Sequence, residues 1–243
     1  GAVVDTGLVR IKLTQVDDGD GDAPASYMSS VDHLTVTSIS RASAMQRMGR
    51  AGRTAGGTCY RLYSKSHAAS FRDFQVPEIH RTSLENVLLR LASMRLPITP
   101  FLDTLLEPPP QRSVSHAAQR LHALGAVELP ATFDVSDPNR SRLHQLKLTH
   151  LGRWLSRIPV DPGPGKLVVL AAMLECLDPA LTVAACAEQT SPFIAAREVA
   201  KDVDAARLRL SMMSGSDQLV NALAYNELAF AEPRHRRSVA AQN

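Results

Sequence analysis

The chain has 243 residues, 44% of them hydrophobic and 21% charged, with a formal net charge of +3 at pH 7. That length allows more than one core, and that balance of apolar and charged residues excludes a chain disordered throughout. So small a net charge does not by itself mark a nucleic-acid binder, which leaves the placement of the arginines as the informative feature. Cys59, Cys176 and Cys186 show no CxxC spacing and no neighbouring histidine cluster. They read as reduced core thiols of an intracellular protein, not as disulfides or a zinc site. The start of the chain carries no basic segment or cleavage site of a signal peptide. The most apolar stretch, 167–186, is interrupted by Glu175, Asp178 and Pro179, which excludes a membrane span there.

The first five residues (GAVVD) read as a buried strand entered without a lead-in, as in a piece of a longer polypeptide. Residues 8–14 (LVRIKLT) and 33–39 (HLTVTSI) are β-rich and partly alternating, with an acidic, glycine-rich loop at 17–22 between them. They predict a long hairpin with a loose tip. Ser40 is placed to cap a short helix running to about Gly52. Residues 59–63 (CYRLY) read as another strand, so the chain has α/β character to this point.

From Pro77 the pattern turns helical. Residues 82–93 carry Leu84, Val87, Leu88 and Leu91 at helical spacing, and Pro97 and Pro100 end that element. A short helix is expected at 100–106, stopped by Pro108-Pro109-Pro110, and a third at 114–124, with Gly125 as its stop. Strands at 127–129 and 146–149 flank a polar loop; three short helices and a two-stranded ribbon outline a winged helix. Helices at 151–156, 166–176, 179–188, 195–211 and 216–231 suggest a bundle, and 235–243 a frayed tail.

Residues 41–53 (RASAMQRMGRAGR) carry the chemistry. On a helix, Gln46, Arg50 and Arg53 are spaced four and then three apart and share one face. Arginines at that spacing repel, and Gly49 and Gly52 each cost about 1 kcal/mol relative to alanine in a helix interior. An anion facing the segment would offset the repulsion, and glycines permit close backbone approach. Guanidinium forks match phosphate oxygens, which points to a phosphoryl group. The competing reading is a solvated basic helix, which leaves the glycines without a purpose.

QRMGRAGR at 46–53 resembles motif VI of superfamily 2 helicases of the DEAH/RNA helicase A (DExH) type. Further segments resemble that family in the same order: TAGGTCYRLY at 54–63, VPEIHR at 76–81, LLEPPP at 105–110, LTHLG at 148–152, IPVDP at 158–162, CLDP at 176–179 and SPF at 191–193. Met28-Ser29-Ser30 tilts the match to the RNA helicase A-like branch. The resemblance implies an ATP-dependent RNA helicase or RNP remodeller in which two RecA-like lobes close on ATP with Mg2+. It makes 1–76 the C-terminal part of the second RecA-like lobe, 77–149 a winged-helix domain and 150–243 an incomplete, ratchet-like helical bundle. The OB-fold that normally follows would be missing.

By the same resemblance, Arg50 and Arg53 become arginine fingers for the γ-phosphate, and Gln46 helps to position that phosphate or the attacking water. A finger of this kind contributes about 10³–10⁵ in rate. Arg47, off their face, is assigned a structural or inter-lobe contact. Asp5, in VVDTG, either approaches the nucleotide or is a strand-end turn residue. Implied partners are single-stranded RNA or RNP, held through its backbone in a salt-sensitive way, the first RecA lobe in cis, and accessory proteins. No membrane is involved; nuclear, cytoplasmic and mitochondrial locations all fit.

No GxxxxGK[ST] and no Asp-Glu-x-His occur in the chain. Gly163-Pro164-Gly165-Lys166 only mimics a P-loop, with Val160 where the first glycine is needed and Leu167 after the lysine. Half of an ATP site is therefore expected, inactive alone. The hairpin takes the place of the family's strand-separating hairpin, but its acidic stretch at 17–26 departs from that pattern. Two rival readings remain: a motor-less RNA or RNP scaffold, and a winged-helix DNA-binding regulator. The latter needs a basic recognition helix, and 114–124 offers Arg120 plus histidines.

Overall fold

The computed structural model describes residues 1–16, 30–53, 55–137, 141–189, 193, 200–211 and 215–231, with backbone only at 12–16, 30–34 and 200. The chain divides into two units, Gly1–Ala123 with Leu129–Leu146, and Leu124–Glu128 with Lys147–Asn243. The structure is mainly helical with small sheets.

In the first unit, β1 (Ala2–Asp5) pairs in parallel with β4 (Thr58–Arg61), Ala2 opposite Thr58 and Asp5 opposite Arg61. Parallel pairing requires a long crossover, and the chain between them supplies a hairpin and a helix. The hairpin is β2 (Leu8–Val16) against β3 (Ser30–Ser38), in antiparallel register from Leu8 opposite Ser38 to Val16 opposite Ser30. Each arm exceeds the sequence-based expectation, and the acidic stretch at 17–26 lies outside the described residues. Gly7 enters the hairpin with φ 72°, and a side chain there would meet the Tyr63 ring, so both backbone and space demand glycine.

The helix α1 (Arg41–Gly49) starts as expected, with the Ser40 hydroxyl accepting the Ser43 N–H at 3.1 Å. It stops three residues short of Gly52. The Arg50 and Ala51 N–H groups donate to the Arg47 and Met48 carbonyls, three residues back, at 3.1 Å each. Such tightening ends a helix, and Gly49 and Gly52 have no neighbours that would compensate their poor propensity. A small core of Ile39, Ala44 and Phe71, joined by Val9 and Tyr63, lies beside α1. The five-residue α2 (Lys65–Ala69), capped by Ser64, has no apolar periodicity and was not expected.

Three further helices follow: α3 (Glu85–Ser93), α4 (Ile98–Asp103) and α5 (Gln111–Ala123). Leu88, Leu89, Ile98, Leu102, Val114 and Leu121 are buried, each contributing about 1.5–3 kcal/mol. The second of these helices begins at Ile98, not at Pro100. Pro100 fits in its first turn, where a missing N–H leaves no helical bond unmade. The free N–H groups of Ile98 and Thr99 donate to the His144 and Leu143 carbonyls at 2.9 and 2.8 Å.

In the second unit β5 (Val127–Glu128) pairs antiparallel with β6 (Lys147–Leu148). Thr149 caps α6 (His150–Leu155), its hydroxyl accepting the Gly152 N–H at 3.0 Å and donating to the Gly125 carbonyl at 2.7 Å. A Cβ on Gly152 would overlap the Ala126 carbonyl, which explains the glycine in LTHLG. The next helix, α7 (Pro162–Met173), starts four residues earlier than predicted because Pro162 serves as a first-turn residue. It ends through Glu175 at φ 58°, with the Cys176 N–H donating to the Ala171 carbonyl at 2.9 Å. Then come α8 (Leu177–Ala187), α9 (Ala200–Ser211) and α10 (Asp217–Phe230). Leu210, Val220 and Ala224 form a core there with Phe193 and Leu223 against it. The expected tail at 235–243 lies outside the described residues. Among the described residues no helix is long and apolar enough to cross a membrane.

Candidate functional site

Gln46 on α1, Arg50 at its C-cap and Arg53 four residues past its end are all exposed, so the single helical face that the spacing predicts is interrupted where α1 stops. Arg50 lies just past Gly49 with φ −68° and ψ −29°, so the spiral continues and keeps it in phase with Gln46. Among the described residues neither Arg50 nor Arg53 forms an ion pair.

Arg47 is different. One guanidinium nitrogen donates to Asp5 Oδ1 at 2.8 Å and another to the Leu8 carbonyl at 3.0 Å. Asp5, at the end of β1, is buried, with 0% of its side chain accessible against 34% for Arg47. Its Oδ1 also accepts the Gly7 N–H at 3.1 Å, and its Oδ2 accepts the Tyr63 hydroxyl at 2.9 Å. Burial pushes the Asp5 carboxyl up, but the Gly7, Arg47 and Tyr63 hydrogen bonds and the Arg47 charge outweigh it and hold the carboxyl below its ordinary value. Burial and the Asp5 bond together push the Tyr63 hydroxyl up. Asp5 therefore lies beneath α1 with both oxygens occupied, apart from the outward trio. No local pattern points to Tyr63 as its partner, because 58 positions separate them.

The electrostatic outcome is an edge of uneven charge. Arg47 is balanced internally, while Arg50 and Arg53 present two charges to solvent from a segment whose glycines admit a close approach. Two forked donors and the Gln46 amide suit an anion with several oxygens.

Other sequence landmarks resolve into local structure. Gly163-Pro164-Gly165-Lys166 is the first turn of α7, and the Lys166 ammonium donates to the Leu124 carbonyl at 2.8 Å. Arg120, in α5, pairs with Glu85 and donates to the Ser83 hydroxyl at 3.0 Å, and at 12% exposure it faces inward. His80 and Arg81 of VPEIHR line a cavity of about 40 Å³ with Ser83, His116 and Arg120. Among the described residues no group of three His, Cys, Asp or Glu is placed to hold a metal ion.

Residues 161–242 match the family model of the helicase-associated domain HA2, described as ratchet-like. RNA editing associated helicase 2 of Trypanosoma brucei brucei is 38% identical over 93% of this chain and 10% of that protein. DExH-box ATP-dependent RNA helicase DExH3 of Arabidopsis thaliana is 38% identical over 81% of this chain and 15% of its own length. Human ATP-dependent DNA/RNA helicase DHX36 is 33% identical over 96% and 22%. The chain thus spans about a tenth to a fifth of the length of these curated relatives. With 33–38% identity to these helicases over most of its length and an HA2 region in its second unit, the chain belongs to the DExH/DEAH-type RNA helicases, as a C-terminal segment that includes their ratchet-like domain.

Proposed function

We propose that this chain supplies one side of a composite ATP site in an ATP-dependent RNA helicase or RNP remodeller. Arg50 and Arg53 act as arginine fingers on the γ-phosphate, and Gln46 orients that phosphate or the attacking water. The observation that carries this reading is the contrast between Arg47 on α1 and the two arginines at and just past its C-terminal end. Arg47 is tied to a buried carboxylate, whereas Arg50 and Arg53 are exposed and without an acidic partner among the described residues. Preorganised cations of this kind stabilise the charge that develops on the transferring phosphoryl group.

The donor set fits a triphosphate: two forks and an amide on one exposed segment at the end of α1, with glycines between them. ATP with its Mg2+ supplies the phosphoryl group, and these residues bind and orient it. The rest of the ATP site, including a P-loop, belongs to a first RecA-like lobe outside this sequence. A second feature supports a larger lobe around 1–76. Parallel sheets are normally covered on both faces, yet Val4, Tyr60 and Leu62 of the two-stranded sheet and its end are 64%, 58% and 65% exposed. Additional parallel strands and helices of a RecA-like lobe would cover them. Residues 77–149 then serve as a winged helix and 150–243 as a ratchet bundle along a single-stranded RNA path, gripped through its phosphates.

The test is turnover of purified 1–243 with ATP, Mg2+ and single-stranded RNA. No turnover above background is expected. Steady hydrolysis that survives repeated purification would contradict the half-site reading.

A further inference from the structure

The cavity of about 40 Å³ between the start of α3 and the middle of α5 is lined by no residue of α1. The chain entering α3 supplies Arg81 and Ser83, and α5 supplies His116 and Arg120, with Leu84 and Ala117 as apolar lining. All of them belong to the first unit.

The polar wall is made of hydrogen-bond donors. Arg120 directs one nitrogen, Nη2, at the Glu85 carboxylate and at the Ser83 hydroxyl, the latter at 3.0 Å. Its Nε–H is buried and, among the described residues, meets no acceptor. Such a donor is unfavourable to bury without one. The Ser83 oxygen accepts from Arg120 and from the Glu85 N–H at 3.4 Å, so both lone pairs are engaged and its own proton is left to donate. His116 is 8% exposed, and its Nε2 takes a hydrogen bond from Arg112 Nε at 3.3 Å. A guanidinium only donates, so the ring proton sits on Nδ1, which is buried as well. Arg81 brings a second guanidinium to the same wall.

A water would donate as well as accept, whereas the oxygens of an anion accept and so match a wall of donors. The volume takes about three waters, room for one small ion and too little for a nucleotide or a peptide. Leu84, the N-cap residue of the nine-residue α3, makes no capping hydrogen bond through its side chain, so the positive end of that helix adds to the preference. We propose that this cavity is a site for a small free oxyanion of the phosphate class, held by Arg120, Ser83, His116 and Arg81. Bound there, the ion ties the start of α3 to α5 and stabilises the first unit. The inference is independent of the reading of Arg50 and Arg53 as fingers.

The experiment is hydrogen exchange of the full chain 1–243, read in peptides of α3 and α5, with sodium phosphate compared against sodium chloride at equal ionic strength. The background carries Arg50→Ala and Arg53→Ala, so that phosphate meets no competing arginine pair. Binding slows exchange by the factor 1 + [phosphate]/Kd, which is about tenfold at ten times Kd, while α7 in the other unit stays unchanged. Arg120→Lys keeps a cation for Glu85 but removes the Nε–H and the fork, and should reduce the effect below about twofold. Ser83→Ala should weaken it several-fold and covers the case in which Arg120→Lys fails to fold. No slowing by phosphate, equal slowing by chloride, equal slowing in α7, or slowing that both variants retain would overturn the proposal.

Discussion

The Asp5–Arg47 pair allows a prediction worked from its asymmetry. Arg47→Met keeps the aliphatic stem but leaves a fully buried carboxylate with only Gly7 and Tyr63 as donors. Stranding a buried charge costs about 3–5 kcal/mol, and because Arg47 is a third exposed the loss here should be nearer 2–3 kcal/mol. Asp5→Asn strands the other partner, whose guanidinium can turn towards water, so its cost is about 1–2 kcal/mol. The double variant removes both charges together and should be at least about 1 kcal/mol more stable than the sum of the two losses.

Native-state hydrogen exchange is the suitable assay, read at the Leu62 N–H, which donates to the Asp5 carbonyl at 2.8 Å, and at the Ile39 N–H. The single tryptophan, Trp154, lies in the other unit and reports unfolding there as a control. Additive losses within about 0.3 kcal/mol, or a larger loss for Asp5→Asn than for Arg47→Met, would refute the reasoning.

Gly152→Ala should destabilise the second unit by more than about 2 kcal/mol, since the added methyl meets the Ala126 carbonyl, which cannot swing away as a side chain can. Gly163→Ala, with nothing within 4 Å, should be neutral or stabilising by up to about 1 kcal/mol; Trp154 fluorescence in urea checks both, and equal effects would count against the packing argument. Acid stability carries a third expectation. Folded Asp5 binds its proton less tightly than the unfolded chain, so its contribution is fully present above the ordinary aspartate value of about 3.9. It is lost as pH falls below that value through the depressed folded one. Asp5→Asn should flatten this part of the exchange-versus-pH profile, and an unchanged slope would show that other carboxylates govern it.

Local signals carried the elements that local physics decides. Ser40 and the run after it announced α1, and Leu84, Leu88 and Leu91 announced α3, because capping and apolar spacing act within one or two turns. Helix starts were misplaced at Ile98 and Pro162 for one reason: proline reads as a stop, yet it is tolerated in a first turn whose N–H groups have no helical partner. The spacing of Gln46, Arg50 and Arg53 could be read directly. The fixing of Arg47 could not, because its partners, Asp5 and Leu8, lie 42 and 39 positions away and Tyr63 acts through one of them. Parallel pairing of β1 with β4 sets those distances, and no periodicity within either strand encodes a parallel partner.

Turnover of the Arg50→Ala variant of the full-length polypeptide, at saturating ATP and single-stranded RNA, tests the central claim most directly. The account predicts a fall of at least about 10³-fold, the lower bound for a finger, with RNA affinity within a few-fold of wild type. Turnover within tenfold of wild type would mean that Arg50 does not face the γ-phosphate, and the outward edge of α1 would then be a solvated basic surface.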